Sequence, residues 1–269
     1  MTFSIAGKTA VVTGAANGVG LAIARHFQEN DANVVFADMD EKKLVHELEG
    51  EVGDDSNVRY FAGDLRQKLT CANLLSATID AFEQVDILIN ASRQMMRADP
   101  LDPDETAVST LLDQNLITAL RLSQLFAKRM IQQAEKNGVE EGPVGSIINL
   151  SSIAARRTQP ELLAYSVSSA AVDQMTRSMA VALAPQRIRV NAVAFGSVMS
   201  ASLQGALKEN SDMREQIIDH TPLARIARAT EVAEVAQFLA SDGAGFMTGQ
   251  ILTVDGGRTL IDAVDAPAH

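Results

Sequence analysis

The sequence predicts an α/β fold, a single domain built on a doubly wound parallel sheet of about seven strands flanked by helices. Three observations carry that reading. Short apolar runs alternate with longer amphipathic stretches, the pattern of βαβ units in a parallel sheet. The first apolar run opens into glycine-rich sequence, and a helical pattern follows it. No internal repeat, low-complexity block or linker divides the chain, so residues 1–269 read as one domain.

Thr9 to Val12 is the first strand, and a helix follows from Val19 to about Gln28. Asn33 to Ala37 is the second strand, closed by Asp38; Arg59 to Ala62 is the third and Asp86 to Ile89 the fourth. Ser146 to Leu150, entered through a Gly142-Pro143 turn, is the fifth. Ile188 to Ala194 and Ile251 to Val254 complete the set. Between the fourth and fifth strands Leu111, Leu112, Asn115, Leu116, Ala119, Leu122, Leu125, Phe126 and Met130 recur at helical spacing. Ala164 to Ala184 is a further helix, stopped by Pro185. Met199 to His220 is polar and charged, bounded by Thr221-Pro222, and reads as a mobile helical insert. The tail from Asp262, which contains Pro267, is expected to fray unless a neighbouring subunit holds it.

Apolar residues make up 46% of the 269 and charged residues 21%, a globular balance. The net charge of −11 repels phosphate backbones and anionic lipid, which argues against nucleic acid and membrane surfaces as partners. A helix N-terminus can still bind a small anion locally. Cys71 is the only cysteine, so neither an intramolecular disulfide nor a cysteine-rich metal site can form. His26, His46, His220 and His269 lack ligand spacing, and no metal is expected. The start of the chain has no basic-plus-apolar signal pattern, and Val190 to Leu207, the least charged long stretch, is broken by polar residues. A cytoplasmic, reducing compartment is expected.

Thr13-Gly14-Ala15-Ala16-Asn17-Gly18-Val19-Gly20 joins the first strand to the first helix. Glycines there permit positive φ and let backbone N–H groups approach a diphosphate, and the helix adds the favourable end of its dipole. The Gly-x3-Gly-x-Gly spacing departs from the general dinucleotide fingerprint, so by itself it also fits a purely structural turn. Asp38, eighteen residues after Gly20 at the end of the second strand, favours the ligand. A carboxylate there accepts hydrogen bonds from both adenosine ribose hydroxyls and repels a 2′-phosphate. Ala15 and Ala16 offer no cation to such a phosphate, so NAD is expected over NADP. Asp38 could also serve as an N-cap for the helical segment near Asp40.

These residues resemble the short-chain dehydrogenase/reductase family. The Thr-Gly-x3-Gly-x-Gly turn is similar to the family's own, and Asp64-Leu65 matches its adenine-contacting pair. Asn115 sits where the family carries a helix-borne asparagine, and Ser152 lies thirteen residues before Tyr165, the family separation. Pro222-Leu223-Ala224-Arg225, Thr248-Gly249-Gln250 and Asp255-Gly256-Gly257 look like its C-terminal signature, so the likeness covers roughly residues 5 to 260. It implies a Rossmann domain and an NAD-dependent oxidoreductase acting on a secondary alcohol or carbonyl. Tyr165 would be the acid/base, Ser152 the donor to the substrate oxygen and Asn115 the support of a water-linked proton path. Gly14, Asn17, Gly18, Val19, Gly20, Asp38, Asp64, Leu65, Asn90, Ala91, Tyr165, Gly196 and Val198 would bind the cofactor. Residues 197–220 would cover a partly apolar substrate. A homotetramer is expected, with a dimer next, through helices 110–130 and 164–184 and their Leu111, Leu112, Leu120, Leu122, Val172, Met175, Met179 and Val181.

Three positions depart from the family pattern. Ser169 stands four residues after Tyr165, where the family has a lysine that binds the nicotinamide ribose and favours the phenolate. Free tyrosine titrates at about pH 10, and a serine brings no charge to change that, so proton transfer is expected to be impaired or rearranged, alcohol oxidation more than carbonyl reduction. After the fourth strand the family reads Asn-Asn-Ala-Gly, and this chain reads Asn90-Ala91-Ser92-Arg93. The family's Pro-Gly near the nicotinamide amide appears as Phe195-Gly196. Arg93 is then an exposed arginine at a strand end, or supplies the missing cation, or with Phe195 closes the cleft and leaves a non-catalytic relative that acts by dinucleotide binding or subunit contacts. Arg156-Arg157 are a second source of charge or a solvated loop.

Overall fold

A computed structural model describes residues 2–53, 55–210 and 212–262; of the tail expected to fray all but Asp262, His269 included, lies outside the described residues. Seven parallel strands form one sheet in the order β3-β2-β1-β4-β5-β6-β9. They are β1 (Thr9–Thr13), β2 (Asn33–Asp38), β3 (Val58–Ala62), β4 (Ile87–Asn90), β5 (Gly145–Ser152), β6 (Ile188–Phe195) and β9 (Ile251–Val254). β7 (Val198–Met199) and β8 (Ala227–Arg228) pair with each other outside it. All seven runs read from the sequence are strands of this sheet. Several extend past the apolar run, β1 to Thr13, β5 to Ser152 and β6 to Phe195.

Side chains alternate across each strand, so β1 sends Ala10 and Val12 to one layer and Val11 to the other. The first layer contains α1 (Gly18–Glu29), α2 (Glu41–Glu47) and α9 (Ala229–Ala240), with Phe27 and Phe36 fully buried. The second contains α3 (Lys68–Phe82), α5 (Thr118–Lys136) and α6 (Leu163–Leu183), with Leu74, Leu88 and Phe126 fully buried. Each such side chain contributes about 1.5–3 kcal/mol relative to exposure. α9 is pinned at both ends. Glu231 accepts from the Arg228 N–H at 2.8 Å and pairs with Arg225 at 2.6 Å, and these bonds hold its carboxyl down at about 2. At the far end the buried Arg189 guanidinium donates to the Leu239 and Ser241 carbonyls at 2.7 and 3.1 Å, a cation placed against a helix C-terminus.

The helical region after β4 is not one regular helix. α4 (Ala107–Leu111) passes into a π-helical turn, Leu112–Ile117, before α5 begins. Such turns cluster at functional sites, and this one contains Asn115. The polar insert holds α7 (Ala201–Glu209) and α8 (Asp212–Asp219), of which Ile217 is buried. The residues expected to face a partner subunit need correction. Leu111 on α4 is buried with Ala164 and Tyr165 at the start of α6, Leu122 on α5 lies in the layer under the sheet, and Val172 and Met175 on α6 are buried against Ala119 of α5. The exposed large apolar residues on α6 are Leu163 and Val167 near its start and Val181 near its end.

Candidate active site

The strand order reverses between β1 and β4, and open α/β sheets hold ligands at the C-terminal ends of strands flanking such a reversal. β1 runs into Gly14, left-handed at φ +67°, where an added Cβ would sit 2.8 Å from the Ala91 carbonyl oxygen. A Cβ on Gly20 would lie 2.2 Å from the Gly14 carbonyl oxygen. The turn is therefore pressed between the exit of β4 and the start of α1. Asn17 is the N-cap residue of α1 without a side-chain cap bond, and the first turn carries no acidic residue. The positive helix end at Gly18, Val19 and Gly20 is thus able to receive an anion. Thr13 accepts from the Ala91 and Ser92 N–H groups, both at 3.0 Å, and fixes the turn to β4. That hydroxyl was not among the expected site residues; its signal was a threonine closing the strand ahead of the first glycine.

Asp38 ends β2 facing this turn. One carboxylate oxygen accepts from Ala16 N at 3.1 Å and the other from Asp40 N at 3.0 Å. Two backbone donors orient the group and leave lone pairs for hydroxyl donors. The α2 N-cap is Asp40, which accepts from Lys43 N at 3.1 Å, so Asp38 does not cap that helix. Asp64 is held by the Arg66 guanidinium at 2.8–3.2 Å, which keeps its carboxyl below the usual range, and Leu65 beside it is buried.

At the end of β4, Asn90 turns inward. Its amide donates to Asn149 Oδ1 at 2.8 Å and Ser123 Oγ at 3.1 Å, and Asn149 donates onward to Thr176 at 2.9 Å, tying β4, β5, α5 and α6 together. Asn115 grips the next loop, accepting from Gln94 N at 2.8 Å and donating to Gln94 O at 2.9 Å and Ser168 Oγ at 3.2 Å. Ser152 closes β5 and accepts from Ala154 N at 3.1 Å. Tyr165 lies in the first turn of α6 and is 5% exposed. Gly196 follows β6 and donates to the Val254 carbonyl at 3.1 Å, and Val198 is buried in β7.

Arg93 crosses this space. Its Nη2 donates to the Tyr165 hydroxyl, its Nη1 donates to the Ser151 carbonyl at 2.5 Å, and its guanidinium carbon lies 4.4 Å from the Phe195 ring centre. Arg156 and Arg157 are exposed and reach Thr253 and the Thr259 carbonyl instead. Among the described residues no three His, Cys, Asp or Glu side chains converge as a metal site. His26 is half-buried and bonded to Gln237 at 2.6 Å, whereas His46 and His220 are exposed.

Residues 14–259 match the family model described as enoyl-(acyl carrier protein) reductase. The chain belongs to the short-chain dehydrogenase/reductase family. It is 33% identical to L-fucose dehydrogenase of Mus musculus over 94% of this chain and 89% of that one. Among solved structures, a 7α-hydroxysteroid dehydrogenase complexed with NADH and a 7-oxo bile acid superposes with TM-score 0.86 at 28% identity, covering 95% and 96% of the two chains. A gluconate 5-dehydrogenase from Burkholderia cenocepacia, in complex with NADP and tartrate, gives 0.84 at 27% identity, covering 97% and 98%. Within this short-chain dehydrogenase/reductase fold, Arg93 stacks on Phe195 and bonds Tyr165, and Ser169 lies one helical turn beyond Tyr165, buried at 4% exposure.

Proposed function

We propose that the protein is an NAD(H)-dependent oxidoreductase for a secondary alcohol or its carbonyl, in which Arg93 stands in for the family's lysine. The bond from Arg93 to the Tyr165 hydroxyl carries this reading. The dinucleotide supplies or takes up hydride when bound. The start of α1, with Gly14, Asn17, Gly18, Val19 and Gly20, receives its diphosphate; Asp38 takes the ribose hydroxyls, and Asp64 and Leu65 border the adenine. Asn90 and Ala91, through their backbone, and Gly196, Val198 and Tyr165 flank the nicotinamide side. Tyr165 moves a proton to or from the substrate oxygen, Ser152 donates to that oxygen, and Asn115 fixes the loop that carries Arg93. A guanidinium on the phenolic oxygen stabilises negative charge there through a charge-assisted hydrogen bond.

Asp38 makes the cofactor choice NAD, since its carboxylate repels a 2′-phosphate. Titration should give NADH binding at least about tenfold tighter than NADPH, or ~1.4 kcal/mol. Equal affinities would sink the assignment. The same titration addresses a second reading, favoured by the guanidinium stacked on Phe195, in which Arg93 fills the nicotinamide half of the cleft and the protein is a non-catalytic relative. ADP-ribose, which lacks the nicotinamide, would then bind as tightly as NADH. In the catalytic reading NADH binds more tightly.

The substrate is a small molecule covered by residues 197–220, whose Met199, Leu203, Leu207 and Met213 suit a partly apolar ligand. The relatives are named for sugar, sugar-acid and steroid alcohols, which supports the secondary-alcohol class and nothing narrower. Among the described residues no helix is long and apolar enough to cross a membrane, and the cytoplasmic reading stays part of this proposal. A homotetramer, or next a dimer, would cover Leu163, Val167 and Val181 on α6. Light scattering at micromolar concentration should find no monomer, and a monomer would exclude that assembly.

A further inference from the structure

Asp173 is the one carboxylate among the described residues buried as deeply as the core, at 4% exposure. It lies on α6 four residues beyond Ser169 and eight beyond Tyr165, so the three share one stripe of the helix. The Ser151 hydroxyl donates to Asp173 Oδ1 at 2.5 Å and lies 3.5 Å from the Ser169 carbonyl oxygen. The backbone carbonyl of the same Ser151 receives Arg93 Nη1, whose other arm is on Tyr165. Pairing between β4 and β5 ends at Asn90 and Asn149, two residues short of Ser151, so that carbonyl lies beyond the last β4 partner. Burial pushes the Asp173 carboxyl up, against the Ser151 bond and the charges of Arg177 on α6 and Arg156 beyond β5. Burying a carboxyl is costly unless its hydrogen bonds are specific, and an apolar residue would serve the helix better.

We propose that Asp173 is a positioning residue: through the Ser151 hydroxyl it anchors the end of β5, so that the Ser151 carbonyl meets Arg93 and Arg93 meets Tyr165. This rests on the reading of Arg93 given above. Among the described residues no other α6 side chain bonds Ser151, and the loop carrying Arg93 reaches α6 through Asn115 and Ser168 rather than through Asp173. The Asp173–Ser151 pair is therefore a second, separate tie between α6 and the guanidinium.

The chain has two tyrosines and no tryptophan, so in a Tyr60→Phe background near-ultraviolet phenolate absorbance reports Tyr165 alone, without substrate or cofactor. At a fixed alkaline pH, Arg93→Ala should lower the phenolate signal. Asp173→Ala and Ser151→Ala should each lower it about three- to tenfold, whereas Asp173→Asn, which keeps an acceptor for the hydroxyl, should stay near the parent. In an Arg93→Ala background Asp173→Ala should add nothing. A purely structural Asp173 predicts the same loss with and without Arg93, or no loss at all, and either result overturns the proposal. Should Asp173→Ala fail to fold, Ser151→Ala decides, since it leaves the helix and the carbonyl in place. An unchanged signal in Arg93→Ala alone would remove the Arg93 reading and this proposal with it. A loss there without one in Ser151→Ala removes only the present proposal.

Discussion

Replacing Arg93 by alanine is expected to lower turnover about 10²- to 10³-fold, the usual cost of deleting one preorganised donor from a site of developing charge. The guanidinium contacts the phenolic oxygen itself, is braced by the Ser151 carbonyl and rests on the Phe195 face. Ser169 stands one turn from Tyr165, so no ammonium on α6 can take over there. Oxidation of the alcohol should lose more than reduction of the carbonyl, because oxidation needs the phenolate as base and reduction needs the neutral phenol as acid. The alkaline rise of the oxidation rate should accordingly move to higher pH. Arg93→Lys should fall between the two, since it keeps the charge and loses the planar fork that reaches Ser151 and Tyr165 together. Steady-state rates in both directions across pH check this. An unchanged or faster rate in Arg93→Ala would place the guanidinium outside the chemistry.

The seven strands were legible because apolar β-rich runs bounded by turn residues have few alternatives in an alternating α/β chain. Their ends were less so. Thr13, Ser152 and Phe195 extend the strands into the site, and polar or bulky residues at those positions look like loop in a one-dimensional reading. The glycine turn and Asp38 were legible through the positive φ and the carboxylate they supply at fixed spacing. The meeting of Arg93 with Phe195 and Tyr165 was not, because it depends on the reach and direction of one long side chain between strands far apart in sequence. Sequence also left Arg156-Arg157 as rival cations, and only their contacts with the C-terminal segment separate them from Tyr165. Asp173 and Ser151 were missed, although an acidic residue on the Tyr165 stripe of an otherwise buried helix face was a readable signal. Four of the expected interface residues, Leu111, Leu122, Val172 and Met175, are buried, which was illegible for a related reason: helical periodicity marks apolar faces without saying which one the subunit's own elements already cover.

The paired substitution Arg93→Gly with Ser169→Lys should separate the catalytic from the closed-cleft reading. Ser169 is buried, so a lysine added alone must find room beside the guanidinium, with overpacking worth about 1–3 kcal/mol and two like charges near one phenol. Ser169→Lys by itself is therefore expected to melt lower and gain little activity. Removing Arg93 at the same time vacates the Phe195 face and leaves one cation for Tyr165, approaching from α6 rather than from β4. If Arg93 already supplies the charge, Arg93→Gly alone should lose about 10²-fold or more, and the pair should recover to within roughly tenfold of the parent. If instead the guanidinium blocks the nicotinamide half, the parent should be inert, and the pair should bind NADH more tightly than ADP-ribose and turn over. Activity that falls in Arg93→Gly and does not return in the pair would mean that position 169 no longer faces the phenol. The charge would then be irreplaceable from the helix, and the site would depend on its arginine alone.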